Sequence, residues 1–201
     1  MAEIRAVFWD VGGVLLTNAW DHDERDVAIR QFNLDKPQFE ARHKEVVSSF
    51  EEGRVTLDEY LERTLFYESR AFTKAHFREF MFGLSKPKPD VLEIARDLSR
   101  KYFMGTINNE SRELNQYRIQ QFGLANYFGV FVSSCFVGIR KPDEQIYKLA
   151  LDLTQLTAAE CCFIDDRPAN IEAAAKIGMQ TALMQNPDQL RNELQRFGIE
   201  L

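Results

Sequence analysis

Polar residues with chemical capacity stand where apolar runs end. The stretch VFWDVGGVL (7–15) climbs to a single carboxylate, Asp10, and breaks at once into a Gly-Gly pair. The run YFMGTINN (102–109) ends on the amides Asn108 and Asn109, Arg140 and Lys141 follow the run VFVSS (130–134), and CCFIDD (161–166) ends on Asp165 and Asp166. Carboxylates opposed by a lysine and two amides suit phosphate chemistry. Asp10 and Asp166 can hold Mg2+, which takes one or two carboxylates together with substrate phosphate and water. An Asp can also be the nucleophile that accepts a phosphoryl group. The Lys141 ammonium would neutralise the charge that Asp10 and a phosphate bring together. Taken singly, each residue has an ordinary explanation. An Asp after a strand caps a turn, Asp166 ahead of Arg167-Pro168 opens the next helix, Lys141-Pro142 is an exposed loop, and Asn108-Asn109 is a turn. Their recurrence at the ends of successive apolar runs favours one shared site.

Such a site needs a sheet that gathers those ends. After the first strand, residues 22–83 contain helical patterns only, at about 23–33, 37–52, 56–68 and 73–82. In TLDEYLERTLF, for example, Leu57, Tyr60, Leu61 and Leu65 share a helix face, with Thr56 in the cap position. From KPKPD (86–90) onward, helices and short apolar strands alternate. Helices are expected near 89–100, 111–122, 143–153, 168–177 and 187–197, and strands at 102–107, 130–134, 161–164 and 180–184. This alternation predicts a Rossmann-like doubly wound parallel sheet of the α/β class, in which strand ends share a crevice. Residues 1–16 and 86–201 form the expected core domain, and 17–85 an inserted helical-bundle cap above the first strand's tip.

Bulk properties exclude several classes. The chain has 201 residues, 45% of them hydrophobic, enough for a packed core, and carries a net charge of −6. That charge offers no footprint for nucleic acid. No segment resembles a membrane span or a secretory leader, so a cytoplasmic protein is expected. Cys135, Cys161 and Cys162 lack metal-site spacing and read as reduced core thiols.

The order VFWDVGGVL, INNESREL, GIRKPDEQIY and CCFIDDRPANIEAAAKIGM resembles the haloacid dehalogenase-like hydrolase superfamily over essentially the whole chain. The likeness is to the subfamily with a helical cap after the first motif, in a branch similar to sugar-1-phosphate phosphatases. It implies a phosphatase with Asp10 as the phosphorylated nucleophile and Lys141 as the neutralising lysine. Mg2+ would lie on Asp10, Asp166 and the main-chain carbonyl of Gly12, with Asp165 in support. The phosphate-binding role falls to Asn108, with Asn109 beside it, and the partner is a small phosphorylated metabolite.

Two departures matter. The family's phosphatases carry a second Asp two residues after the nucleophile as general acid and base, and here that position is Gly12. Motif two has Asn108 where a Ser or Thr is usual. Three readings stay open: a phosphatase whose substrate needs little protonation of its leaving group, a low-turnover binding or regulatory module, and a 2-haloacid dehalogenase. Trp20, Asp21 and His22 lie just past the entry to the cap and can reach the site. Phe50, Tyr60, Phe66 and Tyr67 either line a pocket or build the cap's own core. His22 and His43 are expected on solvent-exposed helix faces, and Arg167 on either phosphate or a nearby acid. A monomer or a homodimer is compatible with the chain.

Overall fold

The run ahead of Asp10 forms β1 (Ala6–Trp9), buried along its whole length. The computed structural model describes residues 2–201. After β1 come α1 (His22–Gln31), α2 (Lys36–Glu51), α3 (Leu57–Thr64) and α4 (Lys74–Gly83). The alternation then begins with α5 (Pro89–Leu98), β2 (Phe103–Asn108), α6 (Arg112–Gln121), β3 (Val130–Ser133) and α7 (Ser134–Val137). It ends with α8 (Glu144–Thr154), β4 (Cys161–Asp165), α9 (Pro168–Lys176), β5 (Gln180–Leu183) and α10 (Pro187–Arg196).

The strands form one parallel sheet in the order β3-β2-β1-β4-β5. β1 is central because both of its faces are apolar. Val7 and Trp9 enter one core cluster, with Cys162, Ile164, Val91 and Leu194, while Ala6 and Phe8 enter another, with Phe163, Ile146 and Ala174. This two-faced burial is what a helix layer on each side of a parallel sheet requires. The chain moves from β1 to one side for β2 and β3, then to the other for β4 and β5, so the switch point lies between β1 and β4. Register pairs Trp9 with Ile164, which brings Asp10 level with Asp165.

The helices between β1 and α5 have an apolar cluster of their own, built on Phe39, Phe50, Leu57, Tyr60, Leu61, Phe77 and Met81, to which α6 contributes Leu114. Thr56 and Glu59 close a reciprocal capping box at the start of α3, the position its sequence pattern predicts. The chain enters and leaves this bundle through segments that bond to each other. Thr17 N donates to Lys86 O at 2.9 Å, and Thr17 Oγ1 donates to Leu84 O at 2.8 Å.

The run read as a strand over 130–134 ends at Ser133, and the chain turns into α7, which stops at Gly138 with φ +70°. The three cysteines are free and buried. Among the described residues, no helix is long and apolar enough to cross a membrane.

Candidate active site

The crevice floor is a compact charge cluster. Asp10 is 7% exposed, and its Oδ1 accepts from Val11 N at 2.8 Å and lies 2.9 Å from Lys141 Nζ. The same ammonium lies 2.6 Å from Asp165 Oδ2. Asp165 is fully buried, and its Oδ1 also accepts from Arg167 N at 2.8 Å and Asn170 Nδ2 at 3.0 Å. Asp165 therefore holds Lys141 and the loop into α9. Carboxylate oxygens of Asp10, Asp165 and Asp166 lie within 4.8 Å of one another. Asp166 Oδ1 is buried without a hydrogen-bond partner among the described residues. An all-oxygen donor set containing an orphaned carboxylate oxygen fits a hard cation such as Mg2+. Burial raises Asp10 well above the ordinary carboxylate range, against the pull of Lys141, and the crowding of Asp165 and Asp166 adds to the rise. Asp166 is raised by burial and by Asp165.

The two glycines after Asp10 do different things. Gly13 has φ +76°, and a Cβ there would sit 2.0 Å from Asp166 Oδ2, so the bare backbone makes room for that carboxylate. Gly12 has ordinary space around it. A Cβ there would lie 3.4 Å from both Arg118 NH1 and Asn18 Oδ1.

The amides at the end of β2 separate. Asn109 lies on the cavity wall, where its Nδ2 donates to Lys141 O at 2.9 Å and its Oδ1 accepts from Lys141 N at 2.8 Å. Asn108 does not reach the wall. It is 1% exposed, its Nδ2 donates to Asn115 Oδ1 at 3.0 Å, and its Oδ1 accepts from Ser133 Oγ at 2.9 Å. Asn108 is turned toward β3 and α6, away from the cavity.

Above the floor lies a cavity of about 410 Å³, roofed by the helical insertion. Trp20 and Asp21 line it, as their position past β1 predicts, whereas His22 projects outward, its side chain 63% exposed. His43 departs from the expectation of a solvent-exposed face. It is 7% exposed and lines the cavity because α2 turns its Phe39, His43, Val46 and Phe50 face inward. Its Nδ1 lies 2.8 Å from Tyr60 Oη, which accepts a bond from Trp20 Nε1 at 2.9 Å. Burial, then Arg25, lowers the His43 pKa to about 4, so the ring is neutral. Of the four aromatics singled out, Phe50 reaches the wall while stacking on Tyr60; Tyr60 and Phe66 belong to the bundle's core, and Tyr67 lies under Arg42.

Two ion pairs join the floor's loops to the roof. Arg167, which lines the cavity, bonds the acid Asp21 at 2.6 Å, and Arg140 bonds Glu51 at 2.6 Å and Ser48 Oγ at 2.8 Å. Sequence reasoning missed Arg25, Glu51, Glu110 and Arg118, all of which line the cavity. A signal existed for two of them. Glu110 extends the polar tip Asn108-Asn109, and Arg118 shares the inward face of α6 with Leu114 and Asn115. Arg118 is 2% exposed; its NH1 bonds Glu110 Oε2 at 2.8 Å, its Nε donates to Ser85 Oγ at 3.1 Å, and its NH2 donates to Thr17 O.

Comparison with known proteins bears on the family and the fold. A model of haloacid dehalogenase-like hydrolases matches residues 4–178. The chain is 28% identical over 195 residues to flavin mononucleotide hydrolase 1 of Arabidopsis thaliana, covering 89% of this chain and 77% of that protein. It is 23% identical over 184 residues to a phosphoglycolate phosphatase of Aquifex aeolicus, covering 90% and 84%. Several longer relatives are spanned to 40% of their length or less. A crystal structure of a haloacid dehalogenase family enzyme of Bacteroides thetaiotaomicron, in complex with magnesium and inorganic phosphate, superposes with a TM-score of 0.75 at 20% identity, over 90% of this chain and 94% of that one.

Proposed function

The chain belongs to the haloacid dehalogenase-like hydrolase family, and from that premise we propose that it hydrolyses the phosphate monoester of a small polar metabolite such as a sugar phosphate. The observation that carries this reading is Asp10, the residue at the tip of the central strand, facing Lys141 Nζ at 2.9 Å on the floor of the cavity. Asp10 would attack phosphorus, and Lys141, held from behind by Asp165, would balance the charge of nucleophile and phosphate. Asp10, Asp166 and the Gly12 carbonyl would hold Mg2+, with Asp165 behind them; when bound, the ion would neutralise phosphate oxygens. Asn109 fixes the Lys141 backbone and so sets the ammonium's position. Residues 1–16 and 86–201 act as the catalytic core and 17–85 as the cap, whose His43, Trp20 and Phe50 line the cavity where the leaving group would lie. Relatives named for flavin mononucleotide hydrolysis and phosphoglycolate dephosphorylation support the reading, as does a structural neighbour that holds magnesium and phosphate.

The test is hydrolysis of 4-nitrophenyl phosphate with Mg2+. Asp10→Asn preserves size and removes the attacking charge, so turnover should vanish while the fold persists. Retained turnover in that variant overturns the assignment. Halide release from a short 2-halo acid, unaffected by chelator, would establish the dehalogenase reading in its place.

A further inference from the structure

The proposed phosphatase lacks a side chain at position 12 to protonate the departing oxygen, and the structure shows what occupies that place. A Cβ on Gly12 would point to Arg118 NH1 at 3.4 Å, and the same nitrogen holds Glu110 Oε2 at 2.8 Å. The carboxyl of Glu110 thus lies one guanidinium group away from the missing side chain, on the wall of the cavity that contains Asp10. It is tightly placed. Glu110 N donates to Ser134 Oγ at 3.0 Å, Ser111 N donates to Glu110 Oε1 at 3.1 Å, and Arg118 is itself tied to Thr17 and Ser85, on the two chain crossings into the cap.

We propose that Glu110, positioned by Arg118, is the proton donor and acceptor of the reaction in place of the side chain absent at Gly12. This rests on the phosphatase reading above. In the first step an Asp10 oxygen bonds to phosphorus and the bond from phosphorus to the leaving oxygen breaks. Its electron pair stays on that oxygen, which takes the Glu110 proton and departs as the alcohol. In the second step the Glu110 carboxylate takes a proton from water as the water oxygen bonds to phosphorus. The bond from Asp10 to phosphorus breaks, its electrons return to the Asp10 carboxylate, and inorganic phosphate leaves with Glu110 protonated again. The surroundings suit both states. Burial moves the Glu110 pKa up to about 7, Arg118 pulls it down, and Glu51 and Asp10 push it up. Cys135 of α7, itself raised by burial and by Glu110, is a further titratable neighbour. After the proton leaves, the Arg118 guanidinium and Ser111 N–H stabilise the carboxylate.

The test compares wild type, Glu110→Gln and Asp10→Asn, with Mg2+, on 4-nitrophenyl phosphate, phenyl phosphate and an alkyl phosphate. Glu110→Gln keeps a partner for Arg118 and should release nitrophenolate in a burst of one per active site, because that group departs without a proton. It should then stall, because water attack lacks its base. On the alkyl phosphate its rate should fall by roughly 10²–10⁴-fold, the usual worth of a positioned acid or base. Asp10→Asn should give no burst. Adding Gly12→Asp to Glu110→Gln should restore alkyl phosphate turnover. A Glu110→Gln enzyme with the wild-type dependence on leaving group overturns the assignment and leaves the Asp10 nucleophile standing. A wild type that releases no nitrophenolate overturns the phosphatase reading, and the role of Glu110 with it.

Discussion

Asn109 and Lys141 are joined by a reciprocal pair of hydrogen bonds, the amide of one against the peptide N–H and C=O of the other. The pair ties the end of β2 to the loop ahead of α8, and it sets where the Lys141 side chain starts on its way to Asp10. Asn109→Ala should leave the fold intact and let the ammonium drift, lowering kcat by up to about 10²-fold, the scale that misplacement by an ångström produces. Lys141→Ala should go further and cost about 3–5 kcal/mol of stability, because it leaves Asp10 and Asp165 buried without their cation. Steady-state kinetics and urea unfolding of the two variants separate these effects.

The orphaned oxygen of Asp166 predicts stabilisation by metal. Mg2+ at about 100 times its dissociation constant adds about 2.7 kcal/mol to the folded state, which for a chain of this size raises Tm by about 5–10 °C. Differential scanning fluorimetry with and without Mg2+ measures it. Asp166→Asn should erase the shift.

Gly12 and Gly13 should respond oppositely to a methyl group. Gly12→Ala meets ordinary van der Waals contacts and keeps the main-chain carbonyl, so the fold and the Mg2+ shift should persist. Gly13→Ala combines a left-handed backbone at φ +76° with a Cβ 2.0 Å from Asp166 Oδ2. It should cost about 1–3 kcal/mol from the backbone alone and abolish the Mg2+ shift by displacing Asp166. Equal Mg2+ shifts in the two variants would contradict the arrangement.

His43 should make the helical bundle sensitive to acid. Its folded pKa of about 4 lies below the ordinary 6.5 because burial, then Arg25, disfavours the imidazolium. The unfolded chain takes the proton first, so the stability supplied by the neutral ring is complete above pH 6.5 and is lost as the pH falls toward 4. The loss is about 3 kcal/mol over that window. His43→Gln should therefore lose less stability than wild type between neutral pH and about pH 4.5, as measured by urea titration. Parallel losses in the two proteins would mean that the ring is solvated.

The sheet and the family were legible in the sequence because both rest on local order. Apolar runs such as Ala6–Trp9 and Cys161–Ile164 become strands buried on both faces, and their alternation with helices leaves few ways to connect them. Strand ends in such a sheet share one side, which is why Asp10, Lys141, Asp165 and Asp166 meet although 156 positions separate the first from the last. Tertiary packing decided the rest. Asn108 and Asn109 are adjacent and chemically identical, yet one faces Asn115 and Ser133 and the other the cavity, an outcome set by how β2 packs on β3 and α6. His43 and Arg118 look like ordinary surface residues of polar helices; they are buried because the inward faces of α2 and α6 carry them against Tyr60 and Glu110, whose positions depend on distant parts of the chain. Periodicity along the chain determines which residues become strands and helices. Which polar side chain meets which is decided only when those elements dock, because the energies that select such pairs exist only between groups already removed from water.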